Sequence, residues 1–99
     1  MKNILLCWFY DADLVIVPDF VADDLLTYQK KFLKWIEKKS NNHGYWTRKF
    51  GKLILAYDGE AFVKWLNEYI IENENEKAEI TKKEFLPSEE DMKLPKIYF

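Results

Sequence analysis

Between Asn41 and Lys52 the sequence NNHGYWTRKFGK places the chain's single histidine, His43, near Arg48, Lys49 and Lys52. An imidazole flanked by fixed cations can act as a general base while the cations stabilise a developing anion, which is what a small nuclease requires. Such a base also needs a group to orient its ring and a nucleophile to activate, and the surrounding residues supply neither. An Asn-Asn-His-Gly run directly after a helical pattern is turn chemistry instead, with Gly44 or an asparagine taking a positive φ. No catalytic residue is assigned, and the chain is not expected to be an enzyme.

Other reactive residue types are as sparse. His43 and Cys7 stand far apart and offer neither the C-x-x-C nor the H-x-x-x-H spacing of a metal site. The acidic runs DAD, with Asp11 and Asp13, and SEED, with Glu89, Glu90 and Asp91, lack the glycine and closing glutamate of a calcium loop. Neither G-x-x-x-x-G-K nor G-x-G-x-x-G occurs, so nucleotide phosphate has no backbone cradle. No metal and no cofactor is expected.

The scaffold for any site must be one domain, residues 1–99, because two halves would each be too small to bury a core unaided. Apolar residues make up 48% and aromatic residues 17%, ample core material at this length. Cys7 cannot form an internal disulfide and lies in the apolar run ILLCWFY, where it reads as a small buried hydrophobe suited to a reducing compartment. No basic start with a hydrophobic segment and cleavage site is present, and no apolar run approaches the ~20 residues that cross a bilayer. The expectation is a cytoplasmic protein without a membrane partner.

ILLCWFY reads as a central strand covered on both faces, DAD as the turn after it, and LVIV as a second strand stopped by Pro18. From Phe20 to Lys39 the period becomes helical. Val21, Leu25, Leu26, Tyr28, Phe32, Leu33, Trp35 and Ile36 fall on one side, opposite Asp23, Thr27, Lys30, Lys31, Lys34 and Lys38, with Asp19 placed as N-cap. YWTRKF and KLILAY read as strands joined by a tight hairpin at Gly51. Asp58 caps a second helix from Gly59 to Glu72, which leaves Ile71 on its polar side. AEITKKEF alternates like an edge strand, and the tail LPSEEDMKLPKIYF is expected to pack irregularly, anchored by Ile97, Tyr98 and Phe99. These elements predict an α+β fold of order β-β-α-β-β-α-β plus a C-terminal tail, with a mostly antiparallel sheet of about five strands and two helices. Leu25, Phe32, Ile36, Phe62, Trp65 and Leu66 are the expected core.

Net charge is −2, and its distribution is uneven. Residues 1–28 carry one cation and five anions, 29–52 eight and one, and 53–99 six and eleven. The basic segment 29–52, with Trp46 among its lysines, supports a small RNA- or DNA-binding module as one reading; against it stand a sequence pI of about 5.4 and a single arginine. Trp8 and Trp46 lie on strands. If both helices cover one face of the sheet, these aromatics either anchor a partner at the other face or lie beneath the folded tail, and both readings stay open.

The blocks FVADDLLTYQKKFLKWI and YDGEAFVKWLNEYI, in an acidic α+β chain of this size, resemble the small bacterial immunity proteins of contact-dependent growth inhibition and related polymorphic toxin systems. The resemblance covers most of the chain, rests on overall character and departs from the family in the basic middle segment. It implies an inhibitor that blocks a cognate protein toxin, often a basic nuclease, by direct binding. Asp11, Asp13, Asp23, Asp24, Glu89, Glu90 and Asp91 are then the carboxylates expected to meet a cationic cleft, with Trp8 and Trp46 as apolar anchors.

Overall fold

In the computed structural model, which describes residues 1–99, β1 (Lys2–Cys7) has Ile4, Leu5, Leu6 and Cys7 all buried. Burial of consecutive residues means that both faces are covered. β1 pairs antiparallel with β2 (Ala12–Val17), and Trp8 N–H donates to Asp11 O at 2.8 Å to close the connection. The turn is therefore Phe9–Tyr10. DAD does not turn the chain: Ala12 and Asp13 belong to β2, paired with Cys7 and Leu6.

The expected helix from Phe20 to Lys39 is two pieces, α1 (Asp19–Ala22) and α2 (Leu25–Glu37), with Asp23 and Asp24 at the break. Asp19 is not the N-cap: Pro18 holds that position, and the Asp19 carboxylate takes the Met1 amino group at 3.0 Å. Because α2 has its own start, Leu25, Phe32 and Ile36 are buried while Leu26 is left exposed.

β3 (Trp46–Lys49) and β4 (Lys52–Leu55) form a hairpin whose loop is Phe50–Gly51, both at positive φ (52° and 76°). That backbone suits the right-handed twist of a two-residue hairpin, and Gly51 adopts it without a Cβ penalty. The hairpin does not join the main sheet. The sheet order is β5-β2-β1-β6 with β3-β4 apart, in place of one sheet of about five strands.

Asp58 caps α3 (Gly59–Trp65), its side chain accepting from Glu60 N–H at 3.1 Å. The chain then widens into a π-turn, Leu66–Ile70, with Ile71 N–H donating to Leu66 O at 2.8 Å. This i→i+5 winding shifts every later side chain off the 100° projection. Ile71 is accordingly buried, 3% exposed, and does not lie on the polar side. β5 (Glu79–Phe85) is an edge strand as expected, paired with β2 through two register shifts.

The tail is more regular than expected. β6 (Lys96–Tyr98) lies parallel to β1 as the other edge, with Ile97 beside Leu6. Ile97 is buried and Phe99 packs on the main core, whereas Tyr98 stays exposed. One face of the sheet carries Ile4, Leu6, Val15 and Val17 and packs against Leu25, Phe32, Ile36, Phe62, Trp65 and Leu66 of the helices, the whole of the expected core. On the other face Leu5, Cys7 and Ala12 pack against Leu14, Phe85, Met92 and Leu94. The tail supplies that cover, so the second sheet face is a small core. The fold is α+β, with three helices, six strands and a mostly antiparallel sheet.

Candidate functional site

His43 is a capping residue. Its Nδ1 accepts from Tyr45 N–H at 3.0 Å, so Nε2 carries the proton and donates to Ile36 O at 2.7 Å. Asn41 Nδ2 donates to Trp35 O at 2.6 Å. Both carbonyls belong to the last turn of α2, where backbone acceptors have no partner in the helix. Asn42 and Gly44 take positive φ, 53° and 83°, and bring these side chains back onto the helix end. With both ring nitrogens engaged by backbone and the ring between Trp35 and Tyr45 (centroids 4.9 and 5.1 Å), no nitrogen is free to take a substrate proton.

The carboxylates expected to meet a partner do not share one surface. Asp13 is 2% exposed and cannot reach a partner. Its Oδ2 accepts from Trp8 Nε1 at 3.0 Å and its Oδ1 from Glu84 N–H at 2.9 Å. Glu84 is at φ 52°, so the buried carboxylate holds a strained position of β5 in place. Asp13 also lies against Gly59, the first residue of α3, where helix N–H groups favour negative charge. This role is hidden in the sequence because DAD reads as turn chemistry and the partner Glu84 lies far along the chain.

Asp23 pairs with Lys2 at 2.8 Å, and Asp24 accepts from Thr27 Oγ1 at 2.8 Å. Both lie at the start of α2, beside the first residue of β1. Asp11 and the 88–91 turn lie at the opposite end of β1. There Glu90 pairs with Lys93 at 3.0 Å, and Asp91 accepts from Ser88 N–H and Oγ, both at 2.9 Å. The backbone hydrogen bond from Ser88 holds the Asp91 carboxyl below the usual carboxylate range. Asp11 and Glu89 alone of the seven have no side-chain or ion partner.

The two tryptophans are partly committed as well. Trp8 stacks on Phe99 at 4.5 Å and gives its N–H to Asp13; Trp46 lies under Lys39, whose Nζ is 5.0 Å from the ring centre. The exposed aromatic side chains are their neighbours. At the end of the sheet where β1, β5 and β6 finish and β2 begins, Phe9 is 88% exposed, Tyr10 83%, Leu86 82% and Tyr98 63%. Phe9 and Tyr10 pack edge to face at 4.6 Å, which holds them as one projecting unit. A shallow cavity of about 190 Å³ opens beside them, lined by Cys7, Trp8, Asp11, Pro87, Met92 and Tyr98 among others. Burial pushes the Cys7 thiol up, so it serves as an apolar wall. The acidic turn Ser88–Asp91 connects two lining residues, Pro87 and Met92.

The sequence signal was FY at the end of an aromatic run, hidden by the assumption that all of ILLCWFY was strand. No helix is long and apolar enough to cross a membrane, and no group of three His, Cys, Asp or Glu side chains is arranged to hold a metal ion. No protein-family model matches this chain, and no curated protein or solved structure does either.

Proposed function

We propose that this protein is a non-catalytic inhibitor that neutralises a cognate protein toxin in the bacterial cytoplasm by direct contact, using the aromatic end of the sheet as its docking surface. The observation that carries this reading is the exposure of Phe9, Tyr10 and Tyr98 around a cavity that Asp11 also lines, with exposed Leu86 and the acidic turn Ser88–Asp91 on either side of the lining residue Pro87 in the chain. Aromatic anchors at the centre of a patch with a charged rim are how protein interfaces concentrate their affinity, while the rim carboxylates steer a basic partner. Asp23 and Asp24 lie outside this surface and contribute at most to steering.

The test is protection against the product of the adjoining gene, with binding measured by calorimetry. Phe9→Ala combined with Tyr10→Ala removes two exposed rings and should abolish protection and weaken binding at least a hundredfold, on the order of two hot-spot residues, with the melting temperature unchanged. Full protection by that variant would refute the docking surface. His43→Ala, in protein that remains folded, should protect as well as the parent; loss of function there would revive a catalytic role.

A further inference from the structure

Where α2 ends, a cleft of about 260 Å³ opens away from the aromatic end of the sheet and shares no lining residue with it. Trp35, His43, Tyr45 and Tyr69 make its aromatic wall, and Asn42 and Lys64 face it with polar groups. The ring of Trp35 contacts those of His43 at 4.9 Å and Tyr69 at 5.6 Å, and His43 is fixed by hydrogen bonds from both nitrogens, so the wall is preformed. The volume lies below the ~300–1,000 Å³ of sites for larger organic ligands and suits one planar ring system.

Within the lining Lys64 pairs with Glu68 at 3.8 Å, and the chain beside the cleft is cationic. Lys38 and Lys39 follow α2 directly into the turn that lines the cleft. No lysine or arginine between Gln29 and Lys52 has a carboxylate within ion-pair distance, although the chain as a whole is acidic and five lysines elsewhere are paired. Unpaired cations around a polar aromatic cleft match a ligand that alternates negative charge with flat rings.

We infer that this cleft binds single-stranded nucleic acid, seating one unpaired base against Tyr69 and Trp35 while Lys38 and Lys39 hold the flanking phosphates. Every base has a π-face, so stacking tolerates sequence, and the Asn42 amide supplies a donor and an acceptor to the base edge. A duplex keeps its bases stacked inside and cannot fill the cleft. A lipid surface or an acidic peptide neutralises the lysines but has no ring for the aromatic wall. This site is independent of the proposed docking surface, and Phe9→Ala with Tyr10→Ala should leave it intact.

Anisotropy of a labelled, mixed-sequence single-stranded RNA, repeated with DNA, tests the site. Neutralising two phosphates at a slope of about −0.7 per contact predicts an affinity loss of about sevenfold between about 50 and 200 mM salt. Lys38→Gln with Lys39→Gln should weaken binding and flatten that slope. Tyr69 is 59% exposed, so Tyr69→Ala should leave the melting temperature unchanged and reduce affinity about tenfold, with Tyr69→Phe restoring it. An abasic strand of the same length should bind the parent as weakly as the unmodified strand binds Tyr69→Ala. Equal affinity for abasic and base-bearing strands would overturn the proposal. So would an unaffected Tyr69→Ala variant, absence of binding at low salt, or binding to phosphatidylserine vesicles or polyglutamate with none to the strands.

Discussion

Asp13→Ala separates a structural carboxylate from a surface one more sharply than any other single change in this chain. Asp11 and Asp13 are two positions apart in a run that looks uniformly solvated, yet Asp13 is 2% exposed and accepts from Trp8 Nε1 and Glu84 N–H at 3.0 and 2.9 Å. Truncation leaves two donors of part-buried hydrogen bonds without an acceptor, at about 1–3 kcal/mol each, so the loss should be about 3 kcal/mol. For a domain of this size that corresponds to about 12–24 °C in Tm. Asp13→Asn keeps one acceptor but turns an NH2 group toward one of the donors, and should recover less than half of the loss. Asp11→Ala, by contrast, should change stability by less than about 0.5 kcal/mol. Gly59 supplies an internal check, because a Cβ there would overlap Asp13 Oδ2 while meeting Leu6 only at an ordinary 3.4 Å. Gly59→Ala should therefore cost about 1–3 kcal/mol in the parent and clearly less in the Asp13→Ala background. Thermal and urea unfolding followed by circular dichroism measure all four variants and the double mutant. A Tm for Asp13→Ala within about 3 °C of the parent would mean that the network contributes little to stability.

Phe32 is fully buried and meets the rings of Trp35, Tyr57, Phe62, Trp65 and Phe99, so Phe32→Ala should cost about 3–5 kcal/mol in urea unfolding. Phe50 is fully exposed at φ 52° in the hairpin loop; Phe50→Asn, which tolerates that backbone, should raise stability by about 0.5–1 kcal/mol, and a lower Tm would show that the ring makes an unrecognised contact. Asp91 has its pKa lowered from 3.8 by the Ser88 hydrogen bonds, so its contribution to stability is present above the ordinary carboxylate value and lost as pH falls through the lowered one. Asp91→Asn should accordingly show a shallower loss of stability on acidification than the parent, measured as Tm against pH.

The legible parts of the fold were those fixed by local chemistry. The stripe of Leu25, Phe32 and Ile36, the Asp58 cap and the Gly51 hairpin each depend on neighbours within a few residues, and each is found in the structure. What escaped depends on distant partners or altered winding. A hairpin pattern in residues 45–57 specifies its own register but not whether a third strand lies beside it. Ile71 follows the helical projection only while the helix keeps its pitch, and the π-turn at Leu66–Ile70 changes it. Asp13 becomes structural through Glu84, far along the chain, and the three residues of β6 form a strand only because β1 presents an edge to them. The binding surfaces divide in the same way. The basic segment was visible as composition, whereas the aromatic end of the sheet exists because the ends of β1, β5 and β6 meet the start of β2.

The arrangement of β1 also sets an order in time. Its neighbours in the sheet are β2, which follows it directly, and β6, where Leu5 meets Lys96 and Cys7 meets Tyr98. β2 likewise waits for β5. During synthesis the β1–β2 hairpin therefore emerges with both outer edges open and its apolar face uncovered, and α2, the β3–β4 hairpin and α3 all appear before either edge can be paired. Pairings of such wide sequence separation close late and slowly compared with local ones. Until they close, β1 and β2 present an apolar ribbon with unpaired N–H and C=O groups, the feature that nucleates strand addition between chains. The stretch from Glu79 to Tyr98 thus works as an intramolecular guard, and chains cut short of it would be expected to aggregate rather than merely to melt at a lower temperature.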